Sequence, residues 1–166
     1  MTKNILITST ILVGAVVLMW WGRIAQKKVP TQAVSRDATT ALIAEEKVYD
    51  FGTISMKDGL VKKDFVVTNS SKEAIFIPTL ETSCMCTKAY IVEKDASVKG
   101  PFGMQGMGYV PPANETIGAG EHRTIRVEYD PNAHGPAGVG TIDRFIRLTD
   151  ASGGVLELEI KAVVTP

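Results

Sequence analysis

The sequence lacks the excess of basic residues that marks a protein binding nucleic acid. Its 18 Lys and Arg residues equal its 18 Asp and Glu residues in number, so the 166-residue chain has a formal net charge of zero. Affinity for nucleic acid depends on clustered positive charge that neutralises phosphates. The charge balance therefore argues against a nucleic-acid partner.

Signatures of common enzymes are also missing. The sequence contains no G-x-S-x-G nucleophile elbow, and its glycine-rich segment, residues 100–108, has neither a Lys nor phosphate-loop spacing. The acidic residues do not cluster as calcium ligands do. We predict no catalytic residues and no enzyme activity, with a cysteine nucleophile as the one enzymatic alternative.

The N-terminal segment of the chain is apolar and basic. Residues 1–28 contain four basic and no acidic residues, and residues 5–21 carry no charge at all. At 1.5 Å per residue that uncharged stretch spans about 25 Å as a helix, just enough to cross a bilayer. A cleaved signal peptide is disfavoured because Trp20, Trp21 and Arg23 make a poor cleavage site. We predict a single-pass N-terminal transmembrane helix over residues 1–28.

Residues 29–44 are polar, have no strong period and read as a tether. A short helix over residues 37–46 is the alternative. Three basic residues follow the span, whereas only Lys3 precedes it. Because basic residues favour the cytoplasmic side of a membrane, this distribution by itself would leave the body in the cytoplasm. A short basic N-terminus before a long C-terminal domain is, however, the common plan of an exported protein. We expect an extracytoplasmic body.

After residue 45 the apolar residues follow a period of two, which predicts strands with one buried face. No helical stripe of useful length interrupts them. About seven short strands separated by turn signals indicate an all-β fold. We predict an immunoglobulin-like antiparallel β-sandwich over residues 45–166, with a small barrel as the alternative. The predicted strands are residues 48–54, 61–67, 75–80, 87–92, 123–129, 142–148 and 156–162. Pro78 breaks the third of these, which suits an edge strand or a bulge rather than a central strand.

The longest interruption of this pattern is residues 93–116, which are rich in Gly and Pro. A loop of that length in a compact domain is usually functional or disordered.

Several motifs, in order, resemble one bacterial family. They are V-Y-D-F-G-T-I at residues 48–54, F-V-V-T-N at 65–69, S-C-M-C-T at 83–87, G-A-G-E at 118–121 and V-E-Y-D at 127–130. This order is similar to that of the domain of unknown function 1573, which pairs a D-F-G-x-I opening with a C-G-C-T turn and a P-G-E turn. Met85 stands where that family usually has Gly, and Ala119 where it has Pro.

The resemblance covers residues 48–164. It implies an immunoglobulin-like sandwich related to the domains of major sperm protein and of ciliary proteins, usually exported or membrane-anchored. It implies no activity.

Cys84 and Cys86 are the only cysteines. If the segment is extended, their spacing places both sulfurs on one side. Three interpretations stay open. The pair forms a strained and easily reduced disulfide, binds a soft metal, or packs as two inert thiols.

A metal site would draw on further residues. Thiolates and thioethers together favour copper(I), and Met104 and Met107 lie in the glycine-rich segment. His134, in a turn after a predicted strand, is a further candidate ligand, whereas His122 falls on the polar face of its strand. Zinc is the weaker choice because C-x-C is tighter than the usual spacing of structural zinc sites.

The sequence thus favours a membrane-anchored, extracytoplasmic immunoglobulin-like domain that acts as an interaction or structural module of the cell envelope, with an envelope protein as its partner. Sheet edges and residues 104–109 would be its contact surfaces. The alternative is a copper-binding or thiol redox protein that uses Cys84 and Cys86, helped by Met104, Met107 or His134.

Overall fold

The period-two pattern of the sequence is realised as strands throughout the described part of the protein. The structure, a computed structural model, describes residues 39–166. Apart from two short 3-10 turns, Met56–Asp58 and Gly135–Gly138, its regular elements are all strands. They are β1 (Leu42–Ala44), β2 (Val48–Ser55), β3 (Val61–Asn69), β4 (Ile75–Ile77), β5 (Thr79–Thr82), β6 (Thr87–Val92), β7 (Val98–Phe102), β8 (Glu115–Ile117), β9 (His122–Tyr129), β10 (Gly140–Thr149) and β11 (Val155–Thr165).

The strands form two main sheets. One has the order β1-β3-β9-β6-β7 and is antiparallel throughout. The other has the order β2-β11-β10-β5, in which β2 runs parallel to β11. Strands β4 and β8 form a separate antiparallel pair.

Alternate residues of these strands enclose one hydrophobic core. In β11, Leu156, Leu158 and Ile160 are buried, while the residues between them face outward. In β3 and β9, Phe65 and Val127 are buried in the same cluster. Burial of such side chains contributes about 1.5–3 kcal/mol each to folding. The predicted immunoglobulin-like sandwich is confirmed at this level.

The number of strands and their directions were predicted wrongly. The expected strand 75–80 is two strands, because Pro78 has no N–H to donate and separates β4, paired with β8, from β5, paired with β10. Strands β1, β7 and β8 were missed because they are short; in β7 only Phe102 is buried, which leaves no alternation to detect. The parallel β2–β11 pair corrects the expectation of a wholly antiparallel fold.

The predicted long loop, residues 93–116, is partly regular. It contains β7 and the beginning of β8, so that residues 103–114 remain as the irregular segment. Phe102 and Ala113 anchor both ends of that segment in the core.

At the N-terminal side, β1 lies within residues that the sequence assigned to the tether, and it pairs with β3. Residues 39–166 contain no helix long and apolar enough to cross a membrane. The predicted transmembrane helix, residues 1–28, lies outside the described residues, as does most of the predicted tether.

Candidate thiol site

The C-x-C segment is a turn that carries the chain from one main sheet to the other. It lies between β5, an edge of the four-stranded sheet, and β6, in the five-stranded sheet. The hydroxyl of Thr82 donates to the carbonyls of Cys84 (3.1 Å) and Thr87 (3.0 Å), and the N–H of Thr87 donates to the carbonyl of Cys84 (3.1 Å). These bonds close the turn, so the extended conformation that would place both sulfurs on one side is not the one adopted.

Neighbouring strands hold this turn in place. Ser83 donates its N–H to the carbonyl of Phe145 (2.9 Å), and its hydroxyl oxygen accepts the N–H of Phe145 (2.9 Å). The N–H of Asp130, just after β9, donates to the carbonyl of Cys86 (2.9 Å). The backbone around both cysteines is therefore fixed by β9 and β10.

Cys84 and Cys86 are joined as a disulfide, with their Cα atoms 5.3 Å apart. The two sulfurs have different surroundings. Cys84 is half-buried, whereas only 3% of Cys86 is exposed. A partner approaching from solvent therefore meets Cys84 first.

Two side chains from the β9–β10 region contact the sulfurs. Nε2 of the exposed His134, in the turn after β9, lies 3.2 Å from Sγ of Cys84. Arg144, half-buried on β10, donates its Nε–H to Sγ of Cys86 at 3.2 Å. Each sulfur thus has its own polar neighbour.

The guanidinium group of Arg144 places a positive charge beside Cys86. Within residues 39–166 it forms no ion pair with a carboxylate; its Nη1 donates to the carbonyl of Asp143 (2.8 Å). It also lies close enough to Tyr129 to oppose the effect of burial, which raises the pKa of that phenol. Positive charge beside a sulfur favours its thiolate form.

Among the Cys and His residues predicted as ligands, the structure brings three together. Sγ of Cys84, Sγ of Cys86 and Nε2 or Nδ1 of His134 lie within 4.8 Å of one another. Met104 and Met107 lie in the segment after β7, where 36% and 56% of their surfaces are exposed. His122, the first residue of β9, is exposed and pairs with Thr68 of β3.

Sequence reasoning missed Arg144, Thr82 and Ser83. Arg144 lies on a predicted strand, but its spacing carries no sign that it contacts a sulfur 58 residues away. Thr82 next to the pair had a detectable signal, since Thr hydroxyls commonly bond to nearby backbone in turns.

Met85, between the cysteines, occupies a position where glycine is not needed. Among the non-glycine residues that the structure describes, only Ala96 and Asn114 have positive φ. Met85 is exposed, so its side chain extends into solvent without disturbing the turn.

The family comparison concerns the N-terminal half of the sandwich, which contains the C-x-C turn. The sequence profile described as "Protein of unknown function (DUF1573)" matches residues 42–101, a little over a third of the chain, and includes the C-x-C turn. The chain resembles this family. The predicted similarity to DUF1573 beyond residue 101 lies outside the matched segment. A search of curated proteins gives no significant match.

One solved structure shares the fold. A protein of unknown function from Porphyromonas gingivalis W83 superposes with a TM-score of 0.54 at 13% identity, covering 81% of this chain and 51% of that chain. This chain therefore spans about half the length of that relative. The PapD-like domain 7 of human CEP192 is a weaker likeness, with a TM-score of 0.45 at 12% identity over 76% of this chain and 87% of that chain. At these identities the similarity concerns the fold alone.

Proposed function

We propose that this DUF1573-like chain is a membrane-anchored, extracytoplasmic sandwich whose function is thiol–disulfide exchange at Cys84 and Cys86. One observation carries the proposal: the half-buried sulfur of Cys84 has His134 beside it, and the buried sulfur of Cys86 has Arg144 beside it. An accessible sulfur bonded to a buried sulfur with a cationic neighbour is the arrangement that such exchange requires.

The exchange proceeds through Cys84. A thiolate of a partner dithiol attacks Sγ of Cys84, the S–S bond breaks, and its electron pair leaves with Cys86 as a thiolate. The second thiolate of the partner then displaces Cys84 from the mixed disulfide. The partner leaves as a disulfide, having lost two electrons, and the two cysteines are reduced and accept the protons that the partner thiols gave up.

The two polar neighbours have separate roles in this step. The Nε–H of Arg144 donates to Cys86 and stabilises the leaving thiolate, which favours the reduced pair and so makes the disulfide a better oxidant. His134 exchanges a proton with Cys84 when that thiolate is released. Because the closed loop is very short, the disulfide contributes little chain entropy, and the sandwich stays folded when it is reduced.

The proposed location is consistent with this chemistry. Disulfides form and persist in oxidising compartments outside the cytoplasm. The predicted span at residues 5–21 would hold the domain at the membrane surface, within reach of other envelope proteins. Alkaline phosphatase fused after residue 166 would be active in cells if the C-terminus is exported, and inactive if the body is cytoplasmic.

A redox titration tests the exchange. The full chain in detergent is equilibrated with glutathione buffers of increasing reducing strength, and free thiols are counted after acid trapping. We expect Arg144→Gln to shift the thiol–disulfide equilibrium about tenfold toward the disulfide, because a hydrogen bond to the charged form is lost.

Arg147→Gln is the matched control, since Arg147 lies on the same strand but pairs with Glu157 in solvent. Equal midpoints for the two variants would contradict the role of Arg144. A pair that remains oxidised in the most reducing buffer, or that does not oxidise a dithiol peptide, would overturn the redox function.

An envelope interaction module is the second candidate, and the surface of one loop favours it. Met104, Met107 and Tyr109 are 36%, 56% and 87% exposed, an unusual concentration of apolar surface on one loop. A photo-crosslinking residue at position 109 should trap a specific envelope protein in cells, while one at the exposed Val66 of β3 should not. Equal crosslinking at both positions would rule this surface out.

A further inference from the structure

The three ligating atoms at the C-x-C turn also make a metal site once the pair is reduced. We propose that the reduced chain binds one copper(I) ion through the thiolates of Cys84 and Cys86 and the imidazole of His134. The inference rests on the proposed function in one respect, that the pair can be reduced.

The distances suit a single small ion. Thiolate and imidazole ligands bind such ions at about 2.0–2.3 Å, so two ligands of one ion lie at most about 4.6 Å apart. The three atoms lie within 4.8 Å of one another, close to that limit, and Nε2 of His134 is 3.2 Å from Sγ of Cys84. Opening the S–S bond lets the sulfurs separate to the spacing that two ligands of one ion need.

The donor set favours copper(I) over zinc(II). Soft thiolates select copper(I), which accepts low coordination numbers, whereas a structural zinc site needs four protein ligands. Among residues 39–166, Cys84, Cys86 and His134 are the only group of three or more Cys, His, Asp or Glu side chains whose ligating atoms converge. Within that described part of the chain, no carboxylate or second imidazole joins the group to complete a tetrahedral site.

The charge balance also fits. Binding releases the two thiol protons, and two thiolates with one copper(I) ion and a neutral imidazole carry one net negative charge. Arg144 already donates to Sγ of Cys86, so its positive charge offsets that negative charge. Each sulfur can form either the S–S bond or a bond to copper, and the oxidised chain therefore holds no copper at this site.

The test is a competition for copper(I) under anaerobic conditions. The full chain in detergent is reduced, its thiols are counted, and it is titrated into the coloured complex of copper(I) with bicinchoninate. We expect one copper(I) ion per reduced chain and none per oxidised chain. His134→Ala should weaken binding about tenfold or more, and Cys84→Ser with Cys86→Ser should abolish it.

His122→Ala is the matched control, because His122 is the only other histidine and lies at the start of β9. We expect it to bind copper(I) as the wild type does. Two free thiols with no copper(I) bound, or equal weakening by both His variants, would overturn this inference and leave the redox function standing. If the reduced chain is occupied by zinc(II) rather than copper(I) at the free concentrations of the two ions in cells, the choice of copper(I) is wrong. Thiols that do not appear on reduction would overturn the redox function and the copper site together.

Discussion

At the scale of single residues, the side chain of Asn69, at the end of β3, joins neighbouring segments by hydrogen bonds. Its side chain is fully buried. Nδ2 donates to the carbonyls of Ile117 (2.9 Å) and Glu73 (2.7 Å), and Oδ1 accepts from the N–H and hydroxyl of Ser71. Asn69, Ser70 and Ser71 are residue types typical of turns, but the sequence does not show that the amide of Asn69 joins this turn to β8.

Replacing Asn69 tests this connection. Asn69→Ala removes the side-chain donor to the carbonyl of the buried Ile117, so we expect a loss of about 1–3 kcal/mol in the free energy of unfolding, measured by urea denaturation. Asn132→Ala is a control, because the Asn132 side chain is exposed and donates one bond, to the carbonyl of Met56. A loss below about 1 kcal/mol for Asn69→Ala would contradict this role.

At the scale of elements, a buried ion pair ties β8 to its neighbours. Glu115 on β8 is 3% exposed and accepts from Lys99 on β7 and from Nε of Arg123 on β9 (2.7 Å). Burial raises the pKa of this carboxyl, but the hydrogen bonds from Lys99 and Arg123 outweigh it and hold the pKa below its ordinary value. Glu115 thus remains charged inside the fold.

Removing this carboxylate should cost far more than removing an exposed one. We expect Glu115→Ala to lower the free energy of unfolding by about 2–3 kcal/mol, because Lys99 and Arg123 lose their hydrogen bonds to this carboxylate and keep only Glu93 as a shared partner. Asp64→Ala, which breaks the exposed pair between Asp64 and Arg126, should cost about 1 kcal/mol or less. Chemical denaturation of both variants measures the two changes in the free energy of unfolding. Similar changes would show that burying these charged groups does not increase their contribution to stability.

At the scale of the whole molecule, buried carboxylates set the dependence of stability on pH. Asp150, in the turn between β10 and β11, is 6% exposed. Burial raises its pKa, but donors from Ser152, Thr40 and Gly154 outweigh that effect and lower it. Because its pKa is lower in the folded state, Asp150 contributes stability above the unfolded pKa, near 4, and that contribution is lost as the pH falls through the folded pKa.

Asp150→Asn makes this contribution measurable. We expect the variant to be less stable than the wild type by about 1–2 kcal/mol at pH 7, and the difference to shrink as the pH is lowered below about 4. Urea denaturation between pH 7 and pH 2 gives the comparison. Asp58→Asn, at an exposed position, is the control variant. A constant difference for Asp150→Asn at every pH would contradict the assignment.

What the sequence determined by itself is the set of long strands and the face of each that enters the core. Alternation in residues 156–162 predicts the buried face of β11 because side chains on a strand alternate between its two sides. The same local pattern says nothing about which strand lies beside which. The parallel β2–β11 pair was therefore decided by tertiary structure, as was the pairing of β4 and β5, on either side of Pro78, with different strands.

The candidate site divides in the same way. Cys84 and Cys86 are neighbours in sequence, and His134 stood out as one of only two histidines. That His134 lies beside Cys84, 50 residues away, and Arg144 beside Cys86, 58 residues away, depends on β9 and β10 packing against the turn between β5 and β6. A pattern of period two fixes the face on which a side chain lies, whereas its distance from a distant sulfur is set only when the two sheets close over their shared core.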